Sequence, residues 1–237
     1  MSAAGSPPVH APLYVVGRGG GTGIVSDIDD TVMITALPRP MVAFWNTFVR
    51  QETSRVSVPG MPVLYHALLD AHPDAFVVYL STGPWNVAPA LEQFLARHGY
   101  PPGPLLLTDW GPTASGWFRS GREHKQTQLR RLLGELPELT WILVGDDGQH
   151  DPDIYTRVTE EFPGRVRAVL IRQLTALEQV LTHGTPDPLE QSEVGDGRAV
   201  EGAGVAGAVE EVRAPDGGQL LAELGRRGLL PVAPTWP

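Results

Sequence analysis

The sequence predicts an α/β fold, a three-layer, Rossmann-like arrangement with a mostly parallel five-stranded central sheet and only a small cap insertion. Three observations carry that reading. Five short runs are apolar throughout, as strands covered on both faces must be. Helical stretches alternate with them, and four of the five runs close on an acidic or hydroxyl residue.

Residues 1–20 are small, Gly-rich and Pro-rich, and read as a flexible N-terminal segment. The first run, GIVSD at 23–27, opens a domain expected to span 21–186. It is followed by an insertion at 32–59, VMITALPRPMVAFWNTFVRQETSRVSVP, too long for a plain turn and too short for a separate cap domain, so it is expected to overhang the site. Helical stretches near 60–71, 86–98, 123–134 and 152–162 then alternate with the runs AFVVYLS (75–81), GPLLLTD (103–109), TWILVGD (140–146) and VRAVLIR (166–172). Asp27, Ser81, Asp109 and Asp146 sit at the C-terminal ends of their runs, the edge of an open parallel sheet where ligands bind. From about residue 187 onward, Gly, small residues and acids replace the large aliphatics, and 187–237 reads as a largely flexible acidic tail carrying −5 of the net charge. Its last apolar patch, QLLAELGRRGLLPV, has helical spacing and reads either as a frayed terminal helix or as an element that docks.

Composition excludes several function classes. The 237 residues carry a formal charge of −9, which gives no basic footprint for nucleic acid. No cysteine is present, so disulfides, thiolate metal sites and a cysteine nucleophile are ruled out. There is no basic stretch leading into an apolar one at the N-terminus and no run of 18 apolar residues, so a cytoplasmic chain without a transmembrane segment is expected.

The chemistry concentrates in GIVSDIDDTVMIT at 23–35. Asp27 and Asp29, two apart just after a buried strand, can both project into the crevice beyond the sheet, a pairing suited to a nucleophile and an acid/base partner. Calcium loops and solvated turns also carry clustered aspartates at strand ends. Asp27-Ile28-Asp29-Asp30-Thr31 resembles the first motif of the haloacid-dehalogenase-like phosphohydrolases, and the other three motifs of that superfamily follow in order. Ser81, or Thr82 in the alternative register, ends the next strand. Lys125 supplies the lone base before the fourth strand and is the only lysine among 18 basic residues, as though a compact ammonium were needed there. Asp146, Asp147 and Asp151 form the closing acidic cluster and, with Asp27, make an all-oxygen site that suits Mg²⁺. Asp151, followed by Pro152, also reads as the start of a helix.

The fuller strings SDIDDTVMIT, NTF, VPGM, LSTGPW and LVGDDGQHDPDIY are similar to the catalytic domain of the actin-patch type of phosphatidate phosphatase, over residues 23 to 172. This resemblance implies a Mg²⁺-dependent hydrolase in which Asp27 forms an aspartyl-phosphate and Asp29 serves as acid and base. Mg²⁺ is then held by Asp27, Asp146 and the Asp29 backbone carbonyl, with Asp151 and Asp147 as further ligand candidates, and Thr31, Ser81, Thr82 and Lys125 receive the phosphate. It also implies a phospholipid substrate and peripheral contact with a membrane. Aromatic residues near the site, Trp45 and Trp85 among them, read either as an apolar lip for the lipid or as closure of the core. Thr82-Gly83 stands where the family has Asn-Ser, which leaves open the same chemistry on a soluble phosphomonoester. A silent module binding phosphorylated ligands or membrane surfaces is the reading from another class.

Overall fold

The computed structural model describes residues 13–17, 19–35, 55–109, 117–148, 150–183 and 209–230. The predicted parallel α/β sheet is present with one strand more than expected. Its strands are β1 (Gly21–Ser26), β4 (Phe76–Pro84), β5 (Leu105–Thr108), β6 (Leu139–Asp146), β7 (Val166–Arg172) and β8 (Glu210–Ala214), in the order β5-β4-β1-β6-β7-β8. All five pairings are parallel. A second, two-stranded antiparallel ribbon joins β2 (Met33–Ile34) to β3 (Val56–Ser57). It forms the base of the insertion, whose residues 36–54 lie outside the described residues.

Successive side chains of each strand point to opposite faces, so each apolar run feeds two cores. Ile24, Tyr79, Val144 and Leu170 face one side, under α1 (Met61–Ala71), α2 (Ala88–Arg97) and α6 (Gly217–Arg226). Val25, Leu80, Leu143 and Val169 face the other, under α3 (Trp117–Glu135) and α4 (Asp151–Glu161). α5 (Ala176–His183) follows β7. Trp141 lies flat against β1, where Gly23 makes room for it: a Cβ there would stand 2.3 Å from the indole ring.

The sixth strand corrects the expectation of five, and its origin corrects part of the tail reading. β8 alternates, with Val212 and Ala214 buried and Glu210, Glu211 and Arg213 exposed. An edge strand covered on one face has no continuous apolar run, which is why a search for such runs passes over it. The helix-spaced patch docks: Leu220 and Leu224 of α6 are buried, and α6 packs on α1. The starts of the two helices touch, with the Gly217 N–H donating to the Pro59 carbonyl at 2.9 Å. A Cβ on Gly217 would stand 2.3 Å from the Met61 nitrogen.

The chain steps outward from β1 to β4 and β5, then crosses back to β6 on the other side of β1. That reversal opens a crevice beyond the C-terminal end of β1.

Candidate active site

β1 ends at Ser26, and its ladder continues for one residue as the Asp27 N–H donates to the Val144 carbonyl at 2.9 Å. The chain then turns sharply: Val32 N–H donates to the Ile28 carbonyl at 2.9 Å and Asp30 N–H to the Met33 carbonyl at 2.8 Å. Asp30 takes the left-handed conformation at φ 55°, which Asp adopts at less cost than most side chains. Its carboxylate accepts from the Thr35 N–H at 2.8 Å, an arrangement that closes the turn. Asp27, Asp29 and Asp30 are all buried there.

Two helices bring the partners. Lys125, on α3, lies 2.8 Å from Asp27 Oδ1 and 2.7 Å from Asp151 Oδ1. Asp151, in the first turn of α4, lies against Gly145, where a Cβ would meet Asp151 Oδ2 at 2.5 Å and the Tyr155 ring at 2.9 Å. Asp146 closes β6; its Oδ1 accepts from the Gly148 N–H at 2.8 Å and its Oδ2 from the Thr31 hydroxyl at 3.4 Å. Ser81 Oγ donates to Asp29 Oδ2 at 3.1 Å and accepts from the Gly83 N–H at 2.9 Å. β4 continues past Ser81 to Pro84, with its pairing to β5 irregular between Leu80 and Pro84, so Ser81 sits within the strand rather than ending it.

Among the described residues, the carboxylates of Asp27, Asp29, Asp30, Asp146 and Asp151 are all buried, and the buried Lys125 ammonium lies among them, against Asp27 and Asp151. Burial raises the Asp27 carboxyl well above the usual range; Lys125 opposes the rise, while Asp151 and Asp29 add to it. Asp29 is pushed up to about 7 by burial and by the neighbouring Asp30 charge, against the pull of Lys125 and Ser81. Burial, then Asp151 and Asp27, raise Asp146 as well. Burial acts to lower Lys125, but Asp151, Asp27 and Asp146 outweigh it and hold the ammonium above its ordinary value. Oxygens of Asp27, Asp146 and Asp151 lie within 4.8 Å of one another, and Asp27 Oδ2 and Asp151 Oδ2 have no hydrogen-bond partner. A buried, all-oxygen, negatively charged donor set of this kind fits a hard divalent cation.

The match to known proteins falls on this architecture. Residues 22–173 match the family described as Phosphatidate phosphatase APP1, catalytic domain. The chain belongs to this family. It is similar to the phosphatidate phosphatase APP1 of Saccharomyces cerevisiae, with 34% identity over 156 residues, covering 64% of this chain and 26% of the yeast protein. An uncharacterized protein of Schizosaccharomyces pombe shares 24% identity over 155 residues, 65% of this chain and 25% of that protein. The chain thus spans about a quarter of the length of these curated relatives.

Within the segment shared with the APP1 catalytic domain, the structure brings Asp27, Asp29, Ser81, Lys125, Asp146 and Asp151 together. Thr31 is buried against Asp146. Thr82 is buried, and its carbonyl accepts from the Thr108 hydroxyl at 3.1 Å. Trp85 stands exposed at the start of a 3-10 turn after β4, whereas Trp45 lies outside the described residues. Asp147 Oδ1 accepts from the Leu174 N–H at 2.8 Å, and Asp147 is not among the three clustered carboxylates. Sequence reading passed over Arg172, a buried arginine whose Nη1 donates to the Asp30 carbonyl at 2.7 Å. It is one of 17 arginines, and nothing in its immediate sequence marks it out.

Proposed function

We propose that the chain is a Mg²⁺-dependent phosphomonoester hydrolase acting through an aspartyl-phosphate on Asp27, with phosphatidate as its substrate. The observation that carries the chemistry is the buried set of Asp27, Lys125 and Asp151 beside an Asp29 pushed to about 7. An Asp27 oxygen attacks phosphorus in line as the ester P–O bond breaks. Asp29, protonated in part at neutral pH, gives its proton to the departing alcohol oxygen. It then takes a proton from the water that attacks the aspartyl-phosphate, releasing inorganic phosphate and restoring Asp27. Ser81 holds Asp29 in place, and Lys125 stabilises the negative charge spread over the transferring oxygens. Asp27, Asp146 and Asp151 would hold Mg²⁺, which supplies charge neutralisation as one anion approaches another.

The lipid reading is supported by the family and by the position of exposed apolar side chains. Val63, Trp85 and Leu177 are exposed near the starts of the helical segments that follow β3, β4 and β7. Exposed apolar side chains at these positions suit peripheral contact with a membrane surface in a cytoplasmic protein. No helix among the described residues is long and apolar enough to cross a membrane.

The test is phosphate release with Mg²⁺ from dispersed short-chain phosphatidate and from a panel of soluble phosphomonoesters, with wild type and Asp27→Asn side by side. Release from phosphatidate that disappears in Asp27→Asn is the expected result. Equal or faster Asp27-dependent release from a soluble ester would keep the chemistry and discard the lipid. No release from any ester would sink the hydrolase reading.

A further inference from the structure

The match to the APP1 catalytic domain ends at residue 173, but the sheet does not. β8 and α6 lie beyond it, and one buried side chain ties them to the proposed catalytic turn. Arg172, the last residue of β7, sends its guanidinium in three directions. Nη1 donates to the Asp30 carbonyl at 2.7 Å, Nε to the Pro215 carbonyl at 3.2 Å, and Nη2 to the Glu178 carboxylate. The first acceptor belongs to the left-handed residue of the turn after β1, the second to the link between β8 and α6, the third to α5. β7 itself pairs with β8 through Arg172 and Ala214, and the Gln173 N–H donates to the Ala214 carbonyl at 2.8 Å.

We propose that Arg172 is a positioning residue for phosphoryl transfer, through which the C-terminal β8–α6 unit holds the Asp29–Asp30 turn in its working shape. The proposal rests on the hydrolase reading for its chemistry and on the hydrogen bonds alone for its mechanics. Asp30 at φ 55° is held by its neighbours, because this conformation is uncommon for a residue with a Cβ. The Asp30 carbonyl, turned away from the strand ladder, meets the guanidinium. A planar fork with five N–H donors can serve three acceptors on three segments at once, which a lysine ammonium on a flexible stem does not match in geometry. The adjacent Asp29 must stay within reach of the departing oxygen, and displacement of a reacting group by about 1 Å can cost on the order of 100-fold in rate. α6 reinforces the link from the other side, since Gly217 packs against Met61 and donates to Pro59, next to β3 of the ribbon that returns to Met33.

The experiment uses the full chain as wild type, Arg172→Lys, Glu178→Gln and Gly217→Ala. Hydrogen exchange is followed at the amides of Asp30, Val32 and Met33, and kcat and KM are measured on an alkyl phosphate and on an aryl phosphate. In Arg172→Lys the three amides are expected to exchange at least tenfold faster. On the alkyl ester kcat falls about 10–100-fold with KM within about twofold, while the aryl ester, whose leaving group needs little help from a proton donor, loses less. Glu178→Gln keeps both carbonyl contacts and is expected to shift the same readouts in the same direction by a smaller factor; it carries the test if Arg172→Lys does not fold. Gly217→Ala, remote in sequence from the turn, is expected to speed the same three amides. Wild-type exchange at those amides in Arg172→Lys and Gly217→Ala overturns the proposal. So do faster exchange with unchanged kcat, and equal fractional losses on both esters, which report only a loss of folded protein. If wild type hydrolyses no ester, the hydrolase reading falls, and exchange alone decides whether the C-terminal unit holds the turn.

Discussion

Lys125 shows what a single side chain is asked to do. Its ammonium sits between Asp27 and Asp151 at 2.8 and 2.7 Å, buried, in a space set for one compact charge. A guanidinium keeps the charge but is wider, planar and less adaptable, so it must displace one of the two carboxylates. Lys125→Arg is therefore expected to lower kcat by about 100-fold or more, on the scale of losing one preorganised charge-stabilising donor. A near wild-type kcat for Lys125→Arg in a folded protein would show the lysine to be incidental. At this scale the site was largely legible in the sequence: three aspartates within four positions and a lone lysine in a chain that otherwise uses arginine are local signals. Arg172 was not legible, because its role depends on Asp30, Glu178 and Pro215, which only the fold brings to it. The bond from the Leu174 N–H to Asp147 was likewise not legible, since Leu174 lies far from Asp147 in sequence.

Elements hold these residues in register, and two contacts between elements can be tested. The first joins β6 to α4. Gly145 leaves the space into which Asp151 settles, so Gly145→Ala drives a methyl to within 2.5 Å of Asp151 Oδ2 and 2.9 Å of its Cβ. Overpacking of this kind costs about 1–3 kcal/mol. If Asp151 holds Mg²⁺ as proposed, the displaced carboxylate weakens Mg²⁺ binding, measured by calorimetry, by about tenfold or more; unchanged Mg²⁺ affinity would mean that Asp151 is not a ligand. The second contact joins α5 to β7 through Glu178 and Arg172. Burial acts to raise the Glu178 carboxyl, but the bonds from Arg172 and the Thr175 N–H outweigh it and hold the group below its ordinary value. A lowered folded-state value means that the contribution to stability is present above the unfolded value, about 4.3, and is lost as pH falls through the folded one. Glu178→Gln should therefore be less stable than wild type at pH 7, with the gap closing as pH falls below about 4. Denaturation midpoints across that range check it, and a gap independent of pH would contradict it. The four helices between the buried strands and those strands themselves were readable from periodicity, whereas α5 was not read and β8 was not, because an alternating EEVRA between two Gly-rich stretches looks like any polar loop until β7 pairs with it.

At the scale of the whole molecule, the C-terminal unit decides where the domain ends. The family match stops at residue 173, and an acidic, Gly-rich composition from 187 onward suggests a solvated tail. Composition averages over the segment and so hides Val212, Leu220, Leu224 and Leu230, all buried in the same core as Ile24, Leu64 and Leu170. Burying four such side chains contributes roughly 6–12 kcal/mol at 1.5–3 kcal/mol each, which is comparable to the whole stability of a domain. Removing the residues after 208 would also leave β7 as an open edge and uncover the face of α1 that α6 packs on. That truncated chain is expected to lose cooperative thermal unfolding and to aggregate, even though every residue proposed for the chemistry remains in it. Circular dichroism melts and sedimentation of the truncated and full chains decide the matter. A truncated chain that melts cooperatively within a few degrees of the full one would make β8–α6 an accessory and return the domain boundary to the end of β7.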